Sequence, residues 1–232
     1  MNLGEQRFAW LLRQRGIPFC TEENLEDCIQ VRRKRPDFCA QPAGFPLLLA
    51  EVKELKEPGP LRTFTARVWF GDPEMFLRRL RGPVEAAAKQ LKPYEADGFP
   101  MIVVLDNARR VGIPLGVIDL IHLLGMPEFR VPVDTRTGAP VGGAHLHSGS
   151  GQVFSPDRRN YVSAVAVNLP KEGHQYDEPA DRERPMRPRI LHNPFATVRL
   201  PRDVFNDPED EHIAMRDGRW VNLRTGENAL GR

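Results

Sequence analysis

The chain has 232 residues, of which 41% are hydrophobic and 28% are charged, a composition typical of a globular protein and not of a collagenous, coiled-coil or disordered chain. The formal net charge of +2 at pH 7 excludes a strongly polyanionic or polycationic protein. No apolar run approaches the roughly 18 to 20 residues of a membrane span. Cysteines occur at Cys20, Cys28 and Cys39. Their odd number, without a C-x-x-C pair, predicts free thiols and a cytoplasmic protein.

The first elements follow from hydrophobic spacing. Apolar residues recur at helical intervals over residues 3–15 with charges between them, which predicts an amphipathic helix and not a signal peptide. Gly16 ends that helix. Residues 17–20 and 28–31 are predicted as short strands around an acidic turn, and LLLAEVKEL, residues 47–55, is the clearest strand.

The middle of the chain alternates between helix and strand. Residues 73–94 are predicted to be helical, with Gly82 and Pro83 dividing them into two helices. Residues 100–107, PMIVVLDN, form a continuous apolar run that is typical of a buried strand. Residues 115–125 fit another short helix. This order predicts an α/β fold with a central mixed sheet flanked by helices.

Beyond this region the pattern changes to short extended pieces separated by Gly- and Pro-rich stretches. We therefore predict a core over residues 1–125, a β-rich C-terminal extension over 126–200 and a polar, loosely attached tail over 201–232. The run YVSAVAVNL, residues 161–169, is predicted to extend the sheet of the core and not to form a separate domain.

The strand at residues 47–55 carries the residues that suggest chemistry. Side chains alternate between the two faces of a strand, so Glu51 and Lys53 share one face of an otherwise apolar segment. A buried charge costs several kcal/mol unless it is paired or binds an ion. Asp37 lies fourteen residues earlier, at another strand-like position.

Two carboxylates and a lysine are a sensible set for metal-assisted hydrolysis of a phosphodiester. Carboxylates bind Mg²⁺ or Mn²⁺, which prefer oxygen ligands. A bound metal lowers the pKa of water and offsets charge in the transition state. Lys53 could orient the water, help deprotonate it or counter the growing negative charge. The alternative is a structural ion pair at the end of an exposed strand.

The segments RPDF and AEVK resemble the two halves of the motif of the PD-(D/E)xK nuclease superfamily. The resemblance implies a restriction-endonuclease-like core. It implies that Asp37 and Glu51 are metal ligands, that the Val52 carbonyl is a third ligand and that Lys53 is the catalytic lysine. Such nucleases often carry an acidic residue in the first helix, and Glu5 is at the matching position. Glu5 could equally be a first-turn carboxylate that the helix dipole favours.

The resemblance covers roughly residues 3–107 and includes a further element. Gln90 and Tyr94 are similar to the Q-x-x-x-Y element of RecB-type helicase–nucleases, which implies that Gln90 takes part in catalysis and that Tyr94 contacts nucleic acid. Residues four apart share a helix face, so both could reach the site. The alternative is an ordinary polar helix face disturbed by Pro93.

Two groups of basic residues flank the predicted site and are interpreted as nucleic-acid contacts. The first comprises Arg32, Arg33, Lys34 and Arg35, and the second Arg78, Arg79, Arg81, Lys89 and Lys92. Such runs can also be solvated surface. His145 and His147 form an H-x-H that could bind zinc, but with no third ligand nearby a flexible surface loop is the better prediction.

The leading hypothesis is a Mg²⁺-dependent DNA endonuclease of restriction or defence type. It would act on nucleic acid and make no membrane contact. It would recognise its substrate as a homodimer or be recruited by a protein partner. A repair or recombination exonuclease is the second choice within this class. From another class come a catalytically silent nucleic-acid-binding or assembly subunit and an interaction module in which residues 126–232 do the work.

Overall fold

Helix α1, Leu3–Gln14, opens the fold, as predicted from the apolar spacing. Asn2 and Glu5 form a capping box that satisfies the first amide groups of the helix. After the helix, Gly16 adopts a left-handed conformation with φ of 63°, which favours glycine. The chain is seen here in a computed structural model that describes residues 1–55, 73–107, 117, 120–121, 128–130, 134, 136–137, 139, 141, 145–147, 153–170 and 186–229.

Of the next two predicted strands, one is present and the other is not. Strand β1, Phe19–Thr21, agrees with the prediction, but residues 28–31 are not a strand. Strand β2 is Phe38–Ala40, ten residues later. It pairs antiparallel with β1 and with strand β3, Leu48–Glu54. A three-residue strand is determined by its ladder partners and not by its own composition, which is why the sequence pattern missed it.

The prediction of free thiols was wrong for two of the three cysteines and is confirmed for Cys39. Cys20 and Cys28 form a disulfide, and Cys39 is a buried free thiol. A 3-10 helix, Glu22–Asp27, folds the intervening chain back so that the two Cα atoms lie 6.5 Å apart. That separation is within the range a disulfide requires. The sequence predicted an acidic turn here, but not that the turn brings Cys20 and Cys28 within bonding distance.

Helix α2, Pro73–Leu91, is continuous, so the predicted break at Gly82 and Pro83 was wrong. Its buried side chains form one stripe that crosses the proline without interruption: Leu80, Val84, Ala87, Ala88 and Leu91. Proline inside a helix costs about 3 kcal/mol, and packing this stripe against the sheet opposes that cost. The predicted helix at residues 115–125 lies mostly outside the described residues.

A single mixed sheet of eight strands organises the described chain. Strand β4, Met101–Asp106, is the buried strand predicted from its apolar run. The remaining strands are β5, Glu128–Arg130; β6, His145–His147; β7, Ala164–Pro170; β8, Met186–His192; β9, Glu211–Arg216; and β10, Arg219–Asn222. The order in the large sheet is β1-β2-β3-β4-β7-β8-β9-β10, and β5 pairs with β6 separately. Strands β3, β4 and β7 are mutually parallel, as are β8 and β9.

Strands from all three predicted segments therefore join one sheet. The prediction that residues 161–169 extend the sheet is confirmed, because β7 pairs with β4. The prediction of a loosely attached tail at 201–232 is wrong. Ile213 and Trp220 are buried, and β9 adds to the sheet beside β8. Burial of these apolar side chains holds a segment whose overall composition is polar.

Two apolar layers cover the faces of the sheet. One contains Leu49 of β3 and the buried stripe of α2. The other contains Leu48, Ala50 and Val52 with the apolar face of α1. The predicted alternation along β3 is confirmed, so Glu51 and Lys53 project toward the α2 side. Among the described helices none combines the length and apolarity needed to cross a membrane.

Candidate active site

Asp37 and Glu51 come together because β2 and β3 are antiparallel neighbours. The ladder pairs Phe38 with Ala50, so the next position places Asp37 beside Glu51. The Asp37 amide donates a hydrogen bond of 3.3 Å to Glu51 Oε2. The Val52 amide donates one of 2.7 Å to Asp37 Oδ2. The backbone of each strand therefore orients the carboxylate of the other.

Lys53 completes the cluster from the same strand face. Its Nζ lies 2.5 Å from Glu51 Oε1. The Glu51 side chain is completely buried, whereas that of Lys53 is 29% exposed. The lysine thus connects the buried carboxylate with solvent. The sequence predictions that Asp37, Glu51 and Lys53 lie together, and that a buried charge here is paired, agree with this geometry.

The environment disfavours the charged form of both carboxylates. Burial raises the pKa of Glu51 to about 7, and the Asp37 charge adds to the effect, while Lys53 opposes it. Burial also raises the pKa of Asp37 to about 6, against the lowering effect of the Val52 amide. A site that holds two carboxylates at the edge of ionisation is one that an added positive charge would stabilise.

The donor set is compatible with a hard divalent cation that keeps part of its water shell. In the described part of the chain no three acidic, His or Cys side chains are grouped to hold a metal ion. Mg²⁺ is commonly bound by only one or two carboxylates, with water and substrate phosphate completing its octahedron. Asp37 and Glu51 meet that requirement, and each retains lone pairs beyond its observed hydrogen bonds.

Glu5 lies in the first turn of α1, where its alternative role as a carboxylate favoured by the helix dipole was expected, and it also completes the capping box of that helix. The Asn2 amide donates to Glu5 Oε2 over 2.9 Å, and the Asn2 side chain bonds its other carboxylate oxygen. Glu5 is still near enough that its negative charge contributes to the raised pKa of Asp37. Its metal-ligand role remains a prediction, whereas its capping role is observed.

The structure changes the role predicted for Tyr94. Helix α2 ends at Leu91, and Tyr94 lies in the following 3-10 helix, so the assumed helical spacing from Gln90 does not hold. Tyr94 is completely buried, its hydroxyl donates to the Lys34 carbonyl over 2.8 Å and it accepts from the Arg32 amide over 3.1 Å. Full burial leaves no surface for nucleic acid, and the tyrosine instead supports the basic segment.

Gln90 is partly buried. No hydrogen bond among the described residues joins it to the carboxylate pair. The proposed catalytic contribution of Gln90 therefore stays a prediction.

The basic segment, residues 32–35, is partly occupied by internal contacts. Arg32 forms an ion pair with Asp97. Arg35 forms one of 2.7 Å with Glu26. Both pairs are at least partly exposed, so each contributes little stability and could open for a phosphate at small cost.

The other two members of the basic segment differ from each other. Lys34 Nζ donates to the Lys89 carbonyl over 3.0 Å. Arg33 is exposed, and none of the described hydrogen bonds or ion pairs engages it. Arg33 is therefore the residue of the segment best placed to contact a polyanion.

The second basic group is only partly described. The side chains of Arg78 and Arg79 lie outside the described part. Lys89 and Lys92 are exposed near the end of α2, and Arg81 is partly buried. Their contact with nucleic acid stays a prediction.

The histidines of the H-x-H were predicted to lie in a flexible surface loop. That prediction was wrong, because both lie in strand β6. His145 pairs with Arg130, and His147 with Glu128, in a two-stranded antiparallel ribbon. Pairing with a partner strand distant in sequence explains why a Gly-rich context misled the prediction.

Sequence reasoning missed a buried ion pair behind the site. Arg7 of α1 and Asp106 at the end of β4 form a salt bridge of 2.8 Å with both side chains buried. Gly4 lies so close that a Cβ atom there would approach Asp106 Cβ to 2.9 Å. An arginine within the apolar stripe of α1 was the available signal. The pair ties α1, and with it Glu5, to the sheet.

Comparisons with known proteins add no relative. No family model, curated protein or solved structure matches this chain.

Proposed function

We propose that the protein is a divalent-metal-dependent nuclease that hydrolyses phosphodiester bonds in DNA. The observation that carries the proposal is the buried pair Asp37 and Glu51 with Lys53 beside it. Two adjacent carboxylates of raised pKa and an ammonium are costly for a fold to hold unless they serve chemistry. The RPDF and AEVK segments, which resemble the PD-(D/E)xK motif, supply these three residues.

The topology supports the finer proposal of a restriction-endonuclease-like core. The order α1, β1–β2–β3, α2 and β4 is the helix, three strands, helix and strand that such a core would need. Strands β7 to β10 would then be an extension built onto the same sheet.

Each residue of the cluster would have a distinct task. Asp37 and Glu51 would hold Mg²⁺ or Mn²⁺, with the Val52 carbonyl as a further ligand. The bound cation would supply a water of lowered pKa and offset the charge of the phosphate. Lys53, which reaches solvent beside Glu51, would orient the attacking water or counter negative charge that grows in the transition state.

A cleavage assay tests this function. Circular single-stranded DNA, circular double-stranded DNA, linear DNA and RNA are incubated with Mg²⁺, Mn²⁺ or EDTA. We expect metal-dependent cutting of DNA by the wild type and its loss in Lys53→Ala and Glu51→Gln. Cutting of circles would identify an endonuclease, the restriction or defence type preferred here, and cutting of linear DNA alone would identify an exonuclease.

The matched control is Glu54→Gln, three residues along the same strand. Glu54 projects from the opposite face of β3, so this variant makes the same chemical change away from the cluster. It should retain activity. Circular dichroism of each variant verifies the fold. Full activity of Lys53→Ala, or the absence of cutting on every substrate, would reject the nuclease and favour a nucleic-acid-binding or assembly subunit.

A further inference from the structure

Three exposed arginines are among the residues that line a pocket far from the carboxylate cluster. The pocket has a volume of about 210 Å³ and lies where β7 begins and β8 and β9 end. Arg199, Arg202 and Arg216 line it, and no acidic residue is among the described lining residues. The pocket therefore carries three positive charges from side chains that are always protonated at physiological pH.

The arginines are presented by three separate backbone elements. Arg199 follows Val198, whose carbonyl accepts a hydrogen bond of 2.6 Å from Ser163 Oγ. Arg202 begins a short 3-10 turn. Arg216 ends β9 at a tight hairpin in which the next two residues have φ of 50° and 74°. Three segments that are separate in the sequence therefore each contribute an arginine to the lining of one pocket.

These three arginines are exposed, and they lack the ion pairs of the half-buried Arg15 and Arg189. Arg15 is paired with two aspartates, and Arg189 with Glu211. No ion pair or hydrogen bond within the described chain engages the side chains of Arg199, Arg202 or Arg216. The exposed acids Asp203 and Asp217 are their sequence neighbours but do not line the pocket.

The polar side chains of Ser163 and Asn193, which also line the pocket, already have hydrogen-bond partners. Ser163 Oγ donates to the Val198 carbonyl and accepts from the Met101 amide over 2.9 Å. The Asn193 side chain donates to the Val162 carbonyl over 2.7 Å and accepts from the Phe195 amide. The guanidinium groups are therefore the principal free donors that a ligand would meet.

A histidine pair beside the arginines is neutral. His212 Nε2 lies 2.6 Å from the Phe205 carbonyl and must donate to it, so His212 Nδ1 accepts from His192 Nε2 over 3.0 Å. Burial and neighbouring positive charges lower the pKa of His192 to about 3, which is consistent with one proton on each ring. The positive charge of the pocket thus comes from the arginines alone.

We propose that this pocket binds a phosphate group. Arginine presents paired donors whose geometry matches the oxygens of a phosphate. A pocket lined by three arginines and no carboxylate is suited to an anionic ligand. Pockets for whole cofactors usually exceed roughly 300 Å³, so 210 Å³ suits a phosphate with a small attached group. The phosphate could belong to a nucleic acid or to a small phosphorylated metabolite.

The pocket is distinct from the proposed active site. The sheet register aligns Ala50, Ile102, Ala164 and His192 on one face, whereas Glu51 is on the other. Two strands separate β3 from β8, a distance of about 14 Å at the usual strand spacing. The phosphate-binding proposal therefore does not depend on nuclease activity.

Equilibrium binding to the full chain tests the proposal. Inorganic phosphate, a sugar monophosphate, and a single-stranded oligonucleotide with or without a 5′-phosphate are titrated at constant ionic strength in EDTA, so that no metal-dependent reaction takes part. Variants are Arg199→Ala, Arg202→Ala and Arg216→Ala. The exposed Arg136→Ala is the charge-matched control, and thermal unfolding verifies the fold of each.

We expect saturable binding of inorganic phosphate that each pocket variant weakens about tenfold and the control leaves within twofold. Preference for the 5′-phosphorylated oligonucleotide would assign the pocket to a nucleic-acid end, and preference for the sugar phosphate to a metabolite. Absence of saturable phosphate binding overturns the proposal. Equal affinity of the pocket variants and the wild type would overturn it as well. Arg202→Lys, which keeps the charge without the planar fork, should bind more weakly than the wild type.

Discussion

Removing the charge of Glu51 should stabilise the metal-free protein at alkaline pH. The side chain is completely buried, and its pKa in the folded protein is about 7 against an ordinary value of 4.5. Because the pKa of Glu51 is raised on folding, between about pH 4.5 and pH 7 the folded state retains a proton that the unfolded chain has released. The contribution to stability is therefore fully present below about pH 4.5 and is lost as the pH rises through 7.

The magnitude follows from these two pKa values. Their difference corresponds to about 3 kcal/mol of destabilisation once Glu51 is ionised in both states. Glu51→Gln removes this ionisation. The attraction of Lys53 is already contained in the folded pKa, so the loss of that partner needs no separate cost. We expect the variant to be more stable than the wild type by about 3 kcal/mol at pH 8 and by less than about 1 kcal/mol at pH 5.

Denaturant unfolding in EDTA at pH 5 and pH 8 measures this difference. Asp106 and Asp210, with raised pKa values, and His192, with a lowered one, also titrate in the folded protein. The wild type and the variant share these groups, so their contributions cancel when the two free energies of unfolding are subtracted. Asp37 titrates in the same pH range and is coupled to the Glu51 charge, so its contribution does not cancel, and Asp37→Asn in both backgrounds removes it. The exposed Glu23→Gln controls for the loss of one negative charge.

The decisive quantity is the change in that difference between the two pH values. A difference that is the same at pH 5 and pH 8 would refute the argument that burial raises the pKa of the Glu51 carboxylate. Added Mg²⁺ should stabilise the wild type more than Glu51→Gln, because the cation would bind the ionised pair.

Three further predictions concern other parts of the molecule. Asp106→Ala removes the carboxylate that pairs with the buried guanidinium of Arg7 and should lower the free energy of unfolding by about 3 to 5 kcal/mol, measured by urea denaturation against the conservative Asp106→Asn. A loss below about 1 kcal/mol would contradict it. Cys28→Ser opens a disulfide that closes a loop of eight residues and should cost about 2.5 kcal/mol, which thermal unfolding of the oxidised wild type and the variant compares; equal stability would show that the bond does not form in solution. Arg33→Ala should weaken DNA binding and reduce the slope of log affinity against log salt by about 1; an unchanged slope would make this arginine solvated surface.

The parts of the fold that could be predicted are those with long, regular patterns. Helix α1, strand β3 and strand β4 each carry enough periodic apolar residues to determine their own structure. The three-residue strand β2 does not, because its conformation depends on the ladder it joins. Pro83 is a second example, because a proline predicts a helix break from its local sequence. The long apolar stripe of α2 nevertheless keeps that helix continuous.

The candidate site also contains residues that the sequence could place and residues that it could not. Alternation along one strand was sufficient to place Glu51 and Lys53 on one face, and the RPDF segment pointed to Asp37. The role of Tyr94 could not be read from its spacing, because its contacts are with backbone some sixty residues earlier. The arginine pocket had no local signal at all, since Arg199 and Arg216 belong to segments that the sheet brings together.

By itself, the amino-acid sequence determined the α/β class, the main helices and strands and the identity of the carboxylate–lysine cluster. Those features depend on residues that are close in the chain, where periodicity and residue chemistry are sufficient. Only the tertiary structure decided the Cys20–Cys28 disulfide, the ordered C-terminal strands, the Arg7–Asp106 pair and the arginine pocket. Each of these depends on contacts whose distances are set by the packing of the sheet and not by the sequence around any one residue.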